Sequence, residues 1–155
     1  MYMLRIFRRQ VMQKLFRLLL IVVILPASCG LFKKEILIDA VVDQKAQIDA
    51  TENPAMKNMI NSEMRDRRVQ LFDLVVKDVT LSTNIDYDYC VIVDVQTKKG
   101  PVECFIYSTD KDTISKLVKG KSRIDASGDF GRFFSLLGDY YTMLEIVNAK
   151  IKIKG

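Results

Sequence analysis

Histidine and tryptophan are absent from the chain, and proline, cysteine and glycine are scarce, at 3, 3 and 7 of 155 residues. Without histidine, imidazole acid–base catalysis and His-liganded metal sites are excluded. With 49% hydrophobic and 28% charged residues the chain is not a low-complexity or disordered one. Its length suits one domain and leaves no room for two large ones. Acidic residues are missing from the first part of the chain, and this accounts for the net charge of +5. Five of the 24 bases, Arg5, Arg8, Arg9, Lys14 and Arg17, precede residue 18, so the remaining 19 meet 19 acids and the body is neutral.

What is present first is an address. Leu18–Ala27 reads LLLIVVILPA, an apolar run of ten behind a basic segment. It is too short to span a bilayer, which takes about 20 residues, and it suits the apolar core of a secretory signal. Leu25-Pro26-Ala27-Ser28-Cys29-Gly30 resembles a bacterial lipobox, with small residues ahead of a Cys that becomes the lipidated first residue of the mature chain. Pro26 stands where an aliphatic residue is usual. Met12 opens a more compact signal of the same kind, and Gln10–Gln13 after Arg8-Arg9 fit a twin-arginine signal poorly. The expected organisation is a signal peptide over 1–28, a lipid anchor and tether over 29–53, and a folded domain over 54–155. The acyl chains on Cys29 are the one attached group expected, with no metal or other cofactor, and they place the chain outside the cytoplasm at a membrane surface. Within the tether, Glu35–Val42 is apolar enough to pair or pack as strand or helix.

Asn53-Pro54 is a helix start, Asn as cap and Pro at the first helical position. Met56, Met59, Ile60 and Met64 follow as one apolar stripe, predicting a helix over about 54–66 that packs on the domain. From Val69 the period falls to two. A first strand is predicted over about 68–82, irregular around Asp73, and a turn at Asn84-Ile85-Asp86. A second strand runs to about 97 with Val91, Val93 and Val95 on one face. Lys98-Lys99-Gly100-Pro101 closes a hairpin to a third, with Val102, Cys104 and Ile106 on one face and Glu103, Phe105 and Tyr107 on the other. A short helix follows, capped by Thr109 or Asp110, burying Ile114, Leu117 and Val118 and ending at Gly120. A fourth strand, Arg123–Phe130, turns Ile124 and Ala126 inward, and a fifth covers about 140–153.

Three strands, one helix and two strands is the order of the OB-fold, a five-stranded Greek-key barrel. The chain is therefore expected to be mainly β, with a helix between strands three and four and an extra helix before strand one. Val102–Phe105, Lys116-Leu117-Val118-Lys119-Gly120-Lys121, Ile124–Gly128 and Leu144–Ile151 resemble the tRNA-anti-like OB-fold domains. Members of that group often occur as bacterial lipoproteins, and the resemblance covers about residues 55–153. It implies a fold and no catalytic residues. The glycine usual in the bent first strand is missing. Asp73 stands near its place, which puts the coiling of that strand and the closure of the barrel in question.

Several functions can be weighed on these residues. Single-stranded nucleic acid needs a basic groove with aromatic platforms. The outer faces of strands two and three instead show Cys90, Ile92, Asp94, Gln96, Glu103, Phe105 and Tyr107, with Lys98 and Lys99 only in the turn, so no nucleic-acid partner is expected. Around the hairpin Cys90 falls opposite about residue 107 and Cys104 opposite about 93. The two thiols are therefore expected to stay free, one of them in the core. Ser115-Lys116 lacks SxxK spacing, Asp86/Asp88 and Asp110/Asp112 lack a full ligand loop, and no phosphate-binding Gly loop occurs, so no enzyme is expected. Gly131–Tyr141 is unusually apolar for a loop. Phe133, Phe134, Leu136 and Leu137 either fold over the barrel mouth as a turn of helix or form an exposed docking patch. With Phe105, Tyr107, Tyr140 and Tyr141 they make the candidate partner surface. The expected partner is another cell-envelope protein, and the alternative is a small molecule or saccharide, which a deep pocket would favour over a flat patch.

Overall fold

Apolar side chains recurring at every second position make strands from residue 67 onward, and each strand is long enough to bend. A computed structural model describes residues 33–134 and 142–155. The signal segment, Cys29, Leu136, Leu137, Tyr140 and Tyr141 lie outside the described residues. Lys34–Gly155 forms one unit. Its elements are β1 (Lys34–Leu37), α1 (Ile38–Ala50), α2 (Pro54–Arg65), β2 (Arg67–Leu81), β3 (Tyr89–Thr97), β4 (Gly100–Tyr107), α3 (Lys111–Ile114), β5 (Arg123–Phe134) and β6 (Thr142–Lys154).

The strands lie in the order β1-β2-β3-β4-β6-β5, and β5 returns to pair with β2. Strands β2 to β6 thus close a five-stranded barrel. The β4–β6 pairing is parallel and the other barrel pairings are antiparallel. This is the OB-fold. β1 runs parallel to β2 beside residues 67–70, along the edge that β3, paired only from Val76 onward, leaves open.

The inward positions follow the period of two. Val91, Val93 and Val95 on β3 meet Val102, Cys104 and Ile106 on β4, and Ile124 and Ala126 face in from β5, all within one buried cluster. The strand directions put the starts of β2, β4 and β6 and the ends of β3 and β5 at one end of the barrel. α1 lies at that end: the Lys98 N–H donates to Asp39 Oδ1 at 3.1 Å, and Lys99 pairs with Asp43 at 2.9 Å. Val41, Val42 and Met64 of α1 and α2 join the core there, while Ile114 of α3 joins it at the end where β4 finishes. Both mouths are therefore plugged.

Three expectations change. Residues 34–50, read within a tether, form β1 and α1, because Val41 and Val42 are an apolar pair that covers the barrel end. The methionine stripe divides: Met64 is buried, but Met56 and Met59 are 44% and 51% exposed, since only the C-terminal turn of α2 reaches the barrel. Val118 is exposed because the helix stops at Ile114 and its period ends there. Other local signals hold. The Ala55 N–H donates to Asn53 Oδ1, Asp110 caps α3 through the Thr113 N–H, and Gly120 takes a φ of +70°.

Two non-glycine residues sit in the left-handed region, Asp73 (φ 56°) and Asn148 (φ 50°), and each marks a register shift against β5. At Asp73 the backbone N–H donates to Asp125 Oδ1 at 2.8 Å, and Arg123 grips the Asp73 carboxylate through Nε and Nη2 at 2.9 and 2.6 Å. At Asn148 the Tyr87 hydroxyl accepts from the backbone N–H at 3.0 Å and donates to Oδ1 at 2.9 Å. Such bulges bend and coil strands, as closing a small barrel requires. Nearby, β5 and β6 approach closely: a Cβ on Gly128 would sit 2.5 Å from Ile146 Cγ2 and 2.8 Å from the Val147 carbonyl.

Gly128→Ala is therefore expected to destabilise by about 1–3 kcal/mol, as overpacking of a tight site does. Urea unfolding checks this, and an unchanged midpoint would refute the tight approach. Hydrogen bonds from Arg123 hold the Asp73 carboxyl below the ordinary carboxylate range, and the Asp73 N–H does the same for Asp125. A lowered folded pKa stabilises above the unfolded value of about 3.9 and is lost as pH falls through the folded value. Asn tolerates the left-handed backbone. Asp73→Asn should thus fold, be less stable at pH 7, and lose stability less steeply than the parent below about pH 4. Parallel urea midpoints at pH 7 and pH 3 measure that difference.

Candidate binding surfaces

The outer face of β3 and β4 is set by cross-strand register. Asp94 lies directly opposite Glu103, Ile92 opposite Phe105 and Cys90 opposite Tyr107. Like charges directly opposite each other destabilise a sheet. Lys77 of β2 reaches between them, its Nζ 3.0 Å from Asp94 and 2.6 Å from Glu103. The two carboxylates hold its ammonium above the ordinary range, Glu103 contributing most. This part of the face thus carries two acids against one cation.

Higher on the same face the candidate surface shrinks. Tyr107 is only 2% exposed. The loop between β2 and β3 folds back, with the Ser82 N–H donating to the Asp88 carbonyl, and carries Tyr87 to 5.5 Å from the Tyr107 ring. Burial pushes the Tyr107 hydroxyl up. Tyr107 is therefore packing, because a loop covers a position that strand parity alone leaves open. Cys90 lies beside it and is buried as well, so both described thiols are enclosed. Both are free, with Cys104 opposite Val93, and burial pushes each up to about 12.

Residues 131–134, read as loop or helical turn, continue β5, with Phe133 opposite Leu144 and Phe134 opposite Met143. Consecutive residues of a strand face opposite ways, so the two phenylalanines part company. Phe133 packs against the core, 4.9 Å from the Phe130 ring, with Lys45 of α1 6.0 Å over it. Phe134 meets Phe105 edge to face at 5.2 Å on the outer side. The Arg132 guanidinium lies 5.8 Å over Phe134 and grips the buried Glu145 through Nε and Nη2 at 2.8 and 3.0 Å. Phe105, Phe134 and Arg132 thus form one half-exposed cluster. Of the other candidate residues, Tyr107 and Phe133 lie elsewhere.

A second concave feature escaped the sequence. A cleft of about 490 Å³ opens between α1, α2 and the end of β5, within the usual size range of small-ligand sites. Lys45 and Ile48 come from α1, Asn58, Asn61, Ser62 and Arg65 from α2, and Phe130–Phe133 from β5. Among the described residues no carboxylate lines it. The signal was present in the spacing 58, 61, 62, 65, one helix face of polar and basic residues, but it gained meaning only once α1 was seen to form the opposite wall.

No protein-family model matches the chain, and no curated protein matches it. Among solved structures it is similar to a Plasmodium falciparum SSB in complex with ssDNA. The match has a TM-score of 0.38 and 11% identity, and covers 57% of this chain and 94% of that one.

Lys77→Met keeps the aliphatic stem and leaves Asp94 facing Glu103. A loss of about 0.5 kcal/mol is expected, since the pair is half exposed and screened. Adding Asp94→Asn should restore most of it. Equal stability of the single and double variants in urea would show that Lys77 is not clamping the two acids.

Proposed function

We propose that the chain is a lipid-anchored, extracytoplasmic OB-fold domain that works by binding, and that its partner is another cell-envelope protein docking on Phe105, Phe134 and Arg132. The observation that carries this reading is the half-exposed aromatic pair with an arginine stacked on it. Buried aromatic and Arg anchors dominate the energetics of protein interfaces. The acids of the neighbouring β3–β4 face weigh against a polyanionic partner.

The address is supported by the lipobox-like Leu25–Cys29 segment and by the resemblance to tRNA-anti-like domains of bacterial lipoproteins. Only residues 30–33 separate Cys29 from β1, a contour of at most about 18 Å from anchor to strand. The lipidated domain would thus work close to a membrane, on the outer or the cytoplasmic membrane surface according to the host. Among the described residues no helix is long and apolar enough to cross a membrane, and no group of three or more His, Cys, Asp or Glu could hold a metal. The cleft beside α1 and α2 supports a second reading, capture of a small ligand.

Two measurements test the first reading. Intact mass of the membrane-extracted protein should show an N-terminus at Cys29 bearing acyl chains, and globomycin should block that processing. A retained, unmodified N-terminus would overturn the anchor. A photoreactive residue at position 105 or 134 should crosslink one discrete envelope protein in the host. The same residue at Phe72, exposed on β2, should not. Equal crosslinking from all three sites would overturn the docking surface.

A further inference from the structure

α2 presents Asn58, Asn61 and Arg65 on one face, since residues three and four apart on a helix are neighbours. α1 presents Lys45 and Ile48 by the same rule. β5 adds Phe133, whose ring lies on the core side of the strand. The three elements border the 490 Å³ cleft, so positive charge, amide groups and an aromatic wall meet in one concavity that no carboxylate lines among the described residues.

The side chains are not equally available. Ser62 Oγ donates to the Asn58 carbonyl, and Arg132 is committed to Glu145, so both serve as walls. Lys45 pairs with Asp49, whose side chain is 59% exposed. An exposed i,i+4 pair of this kind is worth only a few tenths of a kcal/mol. An incoming anion can therefore take the ammonium at little cost, and Lys45 has three protons to share.

We infer that this cleft is a binding site for a small organic anion, a carboxylate or phosphate ester with a flat apolar body. The anionic group sits at Lys45, Asn58 and Asn61 orient it, and the body lies against Phe133 and Ile48. The site deepens the small-ligand reading of the fold and is independent of the anchor and of the Phe105–Phe134 surface.

The test uses the full chain in neutral detergent, followed by NMR of the Asn58 and Asn61 side-chain amides and the Gly131 backbone. The probes are phenyl phosphate, benzoate, inorganic phosphate and benzyl alcohol. Saturable shifts at these positions are expected with phenyl phosphate or benzoate. Binding should weaken at least fivefold for benzyl alcohol, which lacks the charge, and for inorganic phosphate, which lacks the body. Lys45→Gln should weaken the anionic probes at least fivefold at an unchanged urea midpoint. Equal binding by Lys45→Gln or by benzyl alcohol would overturn the site. Saturable shifts on another face would overturn the site but leave small-ligand capture standing. No saturable shift with any probe would overturn both, and crosslinking from position 134 would still report separately on the protein-partner reading.

Discussion

A five-stranded barrel of this size closes only if its long strands bend, and here the bend of β2 depends on an L-residue in a conformation that glycine adopts more cheaply. Asp73 holds a φ of 56°. The left-handed region costs an ordinary L-residue about 1–2 kcal/mol. Aspartate tolerates it better and also brings a carboxylate to bear. The bent backbone points the Asp73 N–H at Asp125, and the carboxylate receives Arg123. Lys154 lies 3.2 Å from Asp125 and links the end of β6 to the same cluster. Three strands are thereby tied at the point where β2 passes from pairing mainly with β5 to pairing with β3. An ion-pair cluster stands at a bend that glycine would adopt without strain. The strand coils because the side chain that should resist the bend supplies the contacts that hold it.

The second bend follows the same logic with neutral groups. Asn148 is the other left-handed non-glycine, and Tyr87 from the β2–β3 loop satisfies both its N–H and its side chain. That loop is drawn over the barrel wall as a result. Tyr87 then covers Tyr107, and Tyr107 and Cys90 become packing. A requirement of barrel curvature therefore reduces the outer face of β3 and β4 to Ile92, Asp94, Gln96, Pro101, Glu103 and Phe105, with Lys77 reaching in from β2. What remains for a partner is displaced toward the end of β5.

These relations divide what could be read from residues alone from what could not. Inward and outward parity on β3, β4 and β5 was legible because the period of two is local and the Gly100 turn sets the register. Cys90 facing Tyr107 and Cys104 facing Val93 follow from that register. The irregularity at Asp73 was legible as a break in the pattern, but its resolution was not, since Arg123 and Asp125 lie 50 and 52 residues away. Residues 34–50 were illegible for another reason. A mixed apolar run has no period until something tells it which side to bury, and Val41 and Val42 find theirs only against the closed barrel end. Phe133 and Phe134 were ambiguous in the same way: helix, patch and strand all accept two adjacent aromatics, and only the pairing of β5 with β6 decides among them.

That pairing also explains how one short stretch serves two surfaces. A register shift between Phe130 and Phe133 breaks the alternation, so both rings look toward the core and the cleft, while Phe134 looks toward the outer face. Gly131 lets the strand lie close to β6: a Cβ there would sit 3.0 Å from the Glu145 carbonyl. The same Glu145 sends its buried carboxylate to Arg132. Removing Arg132, itself exposed, would leave the buried Glu145 carboxylate without its charge partner, so the contact resists local rearrangement. It fixes Arg132 over Phe134 on one side and holds Phe133 under Lys45 on the other. The outer cluster and the cleft lie along the same strand, and Arg132 borders both, over Phe134 on one side and in the cleft wall on the other.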